Sequence, residues 1–72
     1  MANSTYVIIE LVGTSTESWE DAAKNALKTA SRSIKELRVA EVTKLDMTID
    51  KGKVTAYRAR ITVSFKYLKG DI

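Results

Sequence analysis

The stretch Arg38-Val-Ala-Glu-Val-Thr-Lys-Leu-Asp-Met-Thr-Ile-Asp-Lys-Gly-Lys-Val-Thr-Ala-Tyr-Arg-Ala-Arg-Ile-Thr-Val-Ser-Phe-Lys-Tyr67 decides the fold. Apolar and polar residues alternate from Arg38 to Ile49 and again from Val54 to Tyr67, the two-residue period of a half-buried strand. Between the two runs stands Asp50-Lys-Gly-Lys53, in which Gly52 is free to take positive φ, so the segment predicts a long β-hairpin. If Ile49 faces Val54, one face pairs Ala40 with Val63, Val42 with Ile61 and Lys44 with Ala59. The other pairs Glu41 with Thr62, Thr43 with Arg60 and Leu45 with Arg58. The first of these faces is expected to meet a helix.

That helix lies upstream. Ser18 stands just before Trp19, so its hydroxyl can cap free amides, and Glu20 and Asp21 place carboxylates at the positive end of the helix dipole. Apolar residues then recur in steps of three and four at Trp19, Ala22, Ala23, Ala26, Leu27, Ala30, Ile34 and Leu37, which predicts a helix with a narrow, alanine-rich buried stripe. Further upstream, Thr5-Tyr-Val-Ile-Ile-Glu-Leu-Val12 is rich in β-branched residues, closes on Gly13-Thr-Ser-Thr-Glu17, and reads as a first strand. A right-handed crossover sets this strand beside the third and parallel to the second. The expected fold is α+β, a βαββ unit with a three-stranded sheet of order 1-3-2 around one helix. It forms one domain over 1-72, with an ordered core of about 4-67 and loose ends of about four residues.

Size and composition narrow the function. The 72 residues carry 12 Lys and Arg against 9 Asp and Glu, a net charge of +3, and contain neither Cys, His nor Pro. Thiolate and imidazole metal sites, disulfides, thiol redox chemistry and Ser-His-Asp triads are therefore excluded. No acid, base or nucleophile stands with a specific partner, which predicts a protein that is not an enzyme. A chain of about 70 residues buries little apolar surface, and without disulfides or metal the remaining stabiliser is oligomerisation, so a homo-oligomer is expected. No apolar run approaches the roughly 18 residues of a membrane span, and the polar start does not resemble a signal peptide, so no membrane partner and a cytoplasmic location are expected.

Arg58, Arg60 and Lys66 share one face of the third strand, but alternation puts Tyr57 and Tyr67 on the other. The interleaved cations and stacking rings of a single-strand reader are absent, and no nucleic-acid partner is expected. Trp19 reads as a core or interface anchor rather than a ligand platform. Glu41 and Asp46 are weak metal candidates, because on alternating strand positions they face opposite sides and cannot form a calcium cage within one chain; a site shared between chains stays open. Gly13-Thr-Ser-Thr-Glu17 lacks the glycine spacing and the lysine of a phosphate loop.

Taken together, Val7-Ile-Ile-Glu-Leu-Val-Gly-Thr-Ser15, Ser18-Trp-Glu-Asp-Ala-Ala23, Arg38-Val-Ala-Glu-Val42 and Val63-Ser-Phe-Lys66 resemble the dodecin family, over about residues 4 to 67. The resemblance implies a sheet wrapped around its helix, a hollow homododecamer, and small-ligand binding or storage without catalysis. The family ligand is flavin (FMN, FAD or riboflavin), stacked on a tryptophan that precedes Ala-Glu-Val and bonded by a glutamine on the third strand. This chain has Val39 and Arg58 at those two places. Valine offers no π face, which forfeits about 1 to 3 kcal/mol per stacking contact, and arginine cannot accept a hydrogen bond from a flavin N-H. Val39, Arg58 and Leu45, the residue expected opposite Arg58, mark the candidate ligand site. Val39 and Arg58 fall about 20 Å apart along the strands, so a site using both would combine neighbouring chains. Ser18-Trp-Glu and Asp46-Met47 resemble the subgroup of calcium-binding dodecins that lack the tryptophan. That likeness gives the alternative of a calcium-dependent structural assembly.

Overall fold

The computed structural model describes residues 5–66. The first four residues, Tyr67 and the expected loose C-terminal end lie outside the described residues. Strand β1 (Tyr6–Ser15) is followed by helix α1 (Trp19–Ala30) and by two long strands, β2 (Leu37–Asp50) and β3 (Lys53–Lys66). β3 lies in the middle of the sheet and pairs antiparallel with both neighbours, in the order β1-β3-β2. β1 and β2 therefore run in the same direction, as the crossover through α1 requires.

Local chemistry sets the ends of these elements. Ser18 is extended at φ -167°, and its Oγ accepts the Asp21 amide at 3.0 Å, with Glu20 and Asp21 in the first turn as expected. The helix is shorter than its apolar period predicts. It stops at Ala30, where Ser31 donates its hydroxyl to the Lys28 carbonyl and the amides of Arg32 and Ser33 turn back to Thr29 and Ala30 in tight three-residue steps. Serines compete for backbone groups in this way, and Ser31 does so at the point where the stripe would continue. Ile34 thus lies past the helix, Glu36 turns the chain at φ 63°, and Leu37 opens β2 instead of closing α1. At the hairpin, Lys51 (φ 51°) and Gly52 (φ 77°) are both left-handed, the pattern of a two-residue turn whose twist matches its strands.

The hairpin register agrees with the expected pairs at Ile49–Val54, Val42–Ile61, Glu41–Thr62 and Ala40–Val63 but departs between them. Lys44 faces Arg60, Leu45 faces Ala59 and Asp46 faces Arg58, so the expected pairs Lys44–Ala59, Thr43–Arg60 and Leu45–Arg58 are corrected by one residue. Two bulges cause this: Thr43 is an extra residue in β2, and Thr55 compensates for it in β3. Thr43 donates its hydroxyl to the Arg60 carbonyl at 3.1 Å, and Thr55 donates to the Thr48 carbonyl at 3.2 Å. Each slip changes which residues point to the helix side. That side therefore carries Ala40, Val42, Leu45, Met47 and Ile49 on β2, opposite Val54, Tyr57, Ala59, Ile61 and Val63 on β3. A regular ladder would have put Lys44 on this face and Leu45 on the charged one.

The core is small. Ala22 and Ala26 of α1 pack on Ala59, Ile61 and Val63 of β3, with Ile9, Leu11, Leu27 and Leu37 partly buried around them. Gly13 lets the helix approach β1 closely, since a Cβ there would lie 2.0 Å from the Ala22 carbonyl oxygen. Ile61 and Val63 are the large side chains wholly buried among the described residues, each worth about 1.5 to 3 kcal/mol. The helix covers β1 and β3 but leaves the outer part of the hairpin bare: Val42, Leu45, Met47, Ile49 and Val54 are 42 to 66% exposed.

Candidate functional site

Past the end of the core, a polar cluster ties α1 to the hairpin. The Trp19 indole N-H donates to the Asp46 carbonyl at 2.9 Å, and its ring meets Tyr57 edge to face at 5.0 Å between centroids. Trp19 is thus an anchor between α1 and the hairpin, as its place at the start of the helix predicts. On the opposite face of the sheet, the Asp46 carboxylate accepts two hydrogen bonds from Arg58, from Nε at 2.7 Å and from Nη2 at 2.8 Å. These bonds, with a smaller contribution from the nearby arginine charges, hold the Asp46 carboxyl below its ordinary range, while Asp46 pushes the Arg58 guanidinium up. Asp46 and Arg58 face one another because the Thr55 bulge shifts the ladder by one residue between Ile49–Val54 and Thr48–Ala56, and sequence reading with a regular register missed the pair.

The three candidate ligand residues do not converge within one chain. Val39 pairs with Ser64, and Ser64 stands six residues from Arg58 on β3, about 20 Å along the strand. Leu45 is 52% exposed and faces Ala59 on the helix side, away from Arg58. Val39, 64% exposed, borders an open groove of about 500 Å³ between the second half of α1 and the start of β2.

The expectation that Glu41 and Asp46 face opposite sides is corrected: the extra residue Thr43 puts both on the outer face of the sheet, five positions apart along β2. Glu41 pairs with Thr62, whose other neighbour is Glu10 of β1, so two carboxylates flank one threonine on the outer sheet face. Glu10 was not singled out from the sequence, because the alternation of β1 fixes its face but not its register against β3, and that register is what sets it beside Thr62. Among the described residues no three carboxylates gather in a group able to hold a metal ion within one chain. Both Asp46 oxygens are engaged by Arg58. Among the described residues no helix is long and apolar enough to cross a membrane.

A three-stranded sheet of order 1-3-2 around one alanine-faced helix, with its hairpin left uncovered, defines a class of small βαββ subunits. The dodecin family model matches residues 5–68, and the chain belongs to that family. It is 47% identical over 64 residues to the calcium dodecin of Mycobacterium tuberculosis, covering 88% of this chain and 89% of that protein. The dodecin of Streptomyces coelicolor superposes with a TM-score of 0.91 at 31% identity, covering 97% of this chain and all of that one. The crystal structure of the Mycobacterium tuberculosis protein is described as a calcium-chelating immunodominant antigen with a novel calcium-binding site. It superposes with a TM-score of 0.82 at 41% identity, covering 96% of this chain and 99% of that one.

Proposed function

We propose that the chain, acting as a single domain, is the subunit of a non-enzymatic homododecameric shell that binds and stores a small ligand or ion at contacts between chains. The observation that carries this reading is the uncovered apolar face of the hairpin. Val42, Leu45, Met47, Ile49 and Val54 expose a continuous strip that one chain leaves in water, and a contiguous strip of this kind marks an association surface. A core with two large, wholly buried side chains needs the burial that association supplies.

Among ligands, the residues present do not fit a stacked flavin. Val39 offers no ring, and Arg58, the other marker of that position, has its guanidinium bound to Asp46. Calcium is the better supported ligand, because the relative at 47% identity bears that name. Its oxygen ligands would come from several chains, with Glu41 as one donor and Asp46 as a second once Arg58 lets go. Native mass spectrometry of protein purified without added cofactor tests both parts. A dodecamer whose melting temperature falls on chelation and recovers with calcium is the expected result. A monomer overturns the shell, and a shell indifferent to chelator and calcium overturns the ion.

A further inference from the structure

The groove beside Val39 combines an apolar lining with a positively charged margin. Its floor is apolar, formed by Leu27 of α1, Leu37 and Ala40 of β2, and Val63 of β3, with Val39 at its rim. Its volume of about 500 Å³ is that of a small-molecule site. Lys24 and Lys28 stand along one margin, four residues apart on α1 and therefore about 6 Å from one another. Neither lysine makes an ion pair among the described residues. Arg38, on the β2 margin, is already paired with Glu36, and the Ser31 hydroxyl is spent on the Lys28 carbonyl. The groove thus offers positive charge on one wall, hydrocarbon elsewhere, and few free side-chain groups for polar atoms placed along its length.

We propose that this groove binds a single-chain amphiphilic carboxylate, with the head against Lys24 and Lys28 and the hydrocarbon body over Leu27, Leu37, Ala40 and Val63. Charge complementarity selects an anion, because two neighbouring ammonium groups repel one another until a negative charge lies between them. The bare floor selects a body without polar atoms, since a nucleobase or flavin ring laid there would bury donors and acceptors unpaired. A monoanionic head at one end of an apolar chain satisfies both conditions.

The inference rests on the small-ligand reading above and names the ligand class. Calorimetric titration of the intact protein with dodecanoate, kept below its micelle concentration, tests it against dodecyltrimethylammonium as the cationic counterpart. Saturable binding at one dodecanoate per chain is expected, with the cation at least about tenfold weaker. The exposed double variant K24Q/K28Q is expected to weaken dodecanoate about tenfold, a factor equal to roughly 1.4 kcal/mol, with unchanged circular dichroism. The reversal K24E/K28E is expected to invert the preference between the two amphiphiles. Equal affinity for both amphiphiles, or an affinity for dodecanoate that K24Q/K28Q leaves unaltered, overturns the proposal. Subunit count and calcium response measured on the same sample separate the two readings: a calcium-responsive shell that ignores dodecanoate refutes this inference alone.

Discussion

Substituting alanine for Gly13 introduces one methyl group, and the structure says where it must go. The new Cβ would stand 2.0 Å from the Ala22 carbonyl oxygen, 3.0 Å from the Ala22 carbonyl carbon and 2.9 Å from the Ala26 Cβ. Close carbon-to-oxygen contacts settle near 3.3 Å, so backbone must recede by about 1.3 Å. The atoms that block it belong to α1, whose Ala22 and Ala26 form the helix half of the core, so moving them loosens contacts with Ala59, Ile61 and Val63. Overpacking of this kind costs about 1 to 3 kcal/mol. The lost flexibility of glycine in the unfolded chain returns about 0.4 to 1 kcal/mol. Because backbone rather than a flexible side chain blocks the methyl group, overpacking falls at the upper end of its range, and the net loss of about 2 kcal/mol corresponds to a melting temperature lower by roughly 8 to 16 °C in a domain of this size. Gly52→Ala is the control, because Gly52 has φ 77° and nothing within 4 Å of an added Cβ. It carries backbone strain alone, about 1 to 2 kcal/mol, with no displacement of α1. Thermal unfolding by circular dichroism at fixed protein concentration reads both, and near-ultraviolet dichroism reports Trp19 at the start of α1. A Gly13→Ala protein that melts within a few degrees of the parent, with its Trp19 signal unchanged, would refute the close approach of α1 to β1 as a determinant of the fold.

The remaining predictions concern the hairpin. Ile49→Asp places a charge in the uncovered strip, where a single chain barely feels it and an interface does; native mass spectrometry should find the assembly dissociated while circular dichroism stays intact, and an unchanged mass would remove the strip from the interface. Deleting Thr43 removes the extra residue without moving its neighbours out of phase, since Lys44 can then follow Val42 opposite Arg60 in a regular ladder. The deletion should cost about 1 kcal/mol and preserve assembly, and loss of assembly would contradict the assigned bulge. Trp19→Phe keeps the ring against Tyr57 but withdraws the indole donor from the Asp46 carbonyl, with an expected loss of about 1 kcal/mol in chemical denaturation; no change would mean that water serves the carbonyl as well.

Most of the fold was legible because it depends on local chemistry. Ser18 with Glu20 and Asp21 marks a helix start, Asp50-Lys-Gly-Lys53 marks a hairpin, and alternation marks strands on either side of it. The end of α1 was misread because an apolar period can continue, through Ile34 and Leu37, after hydrogen bonding has turned the backbone away at Ser31. The register was half right for a comparable reason. Ala40 and Val42 are followed by Leu45, Met47 and Ile49, so the apolar phase changes between Val42 and Leu45, and the change back appears between Val54 and Tyr57. Both slips are written in the sequence, each beside a threonine able to bond a carbonyl. A ladder extended at constant phase from Ile49–Val54 overlooks them, and with them the Asp46–Arg58 pair. The candidate site was less legible because its members are far apart in one chain. Glu10 and Glu41 become neighbours only through Thr62, and the groove beside Lys24 and Lys28 takes its walls from both α1 and the start of β2.

The Asp46–Arg58 pair also bears on how an ion could enter. Arg58 holds the Asp46 carboxyl below its usual range, so the folded group binds a proton less readily than the unfolded one. The pair's contribution is therefore present above the ordinary aspartate range and is lost as pH falls through the lowered value in the folded protein. Both side chains remain substantially exposed, 40% and 51%, so solvent screens the pair and its share of stability is small. What it changes is availability: a carboxylate whose two oxygens accept Arg58 cannot also ligate calcium. If Asp46 joins an interchain site, calcium must displace Arg58, and Arg58→Ala should raise calcium affinity while moving the Asp46 carboxyl midpoint upward in a carbon-13 titration. If Asp46 is outside the site, the midpoint still moves but calcium affinity does not. A midpoint identical in the two proteins would show that the side chains do not meet in solution, and the role assigned to the Thr55 slip in bringing them together would fall with it.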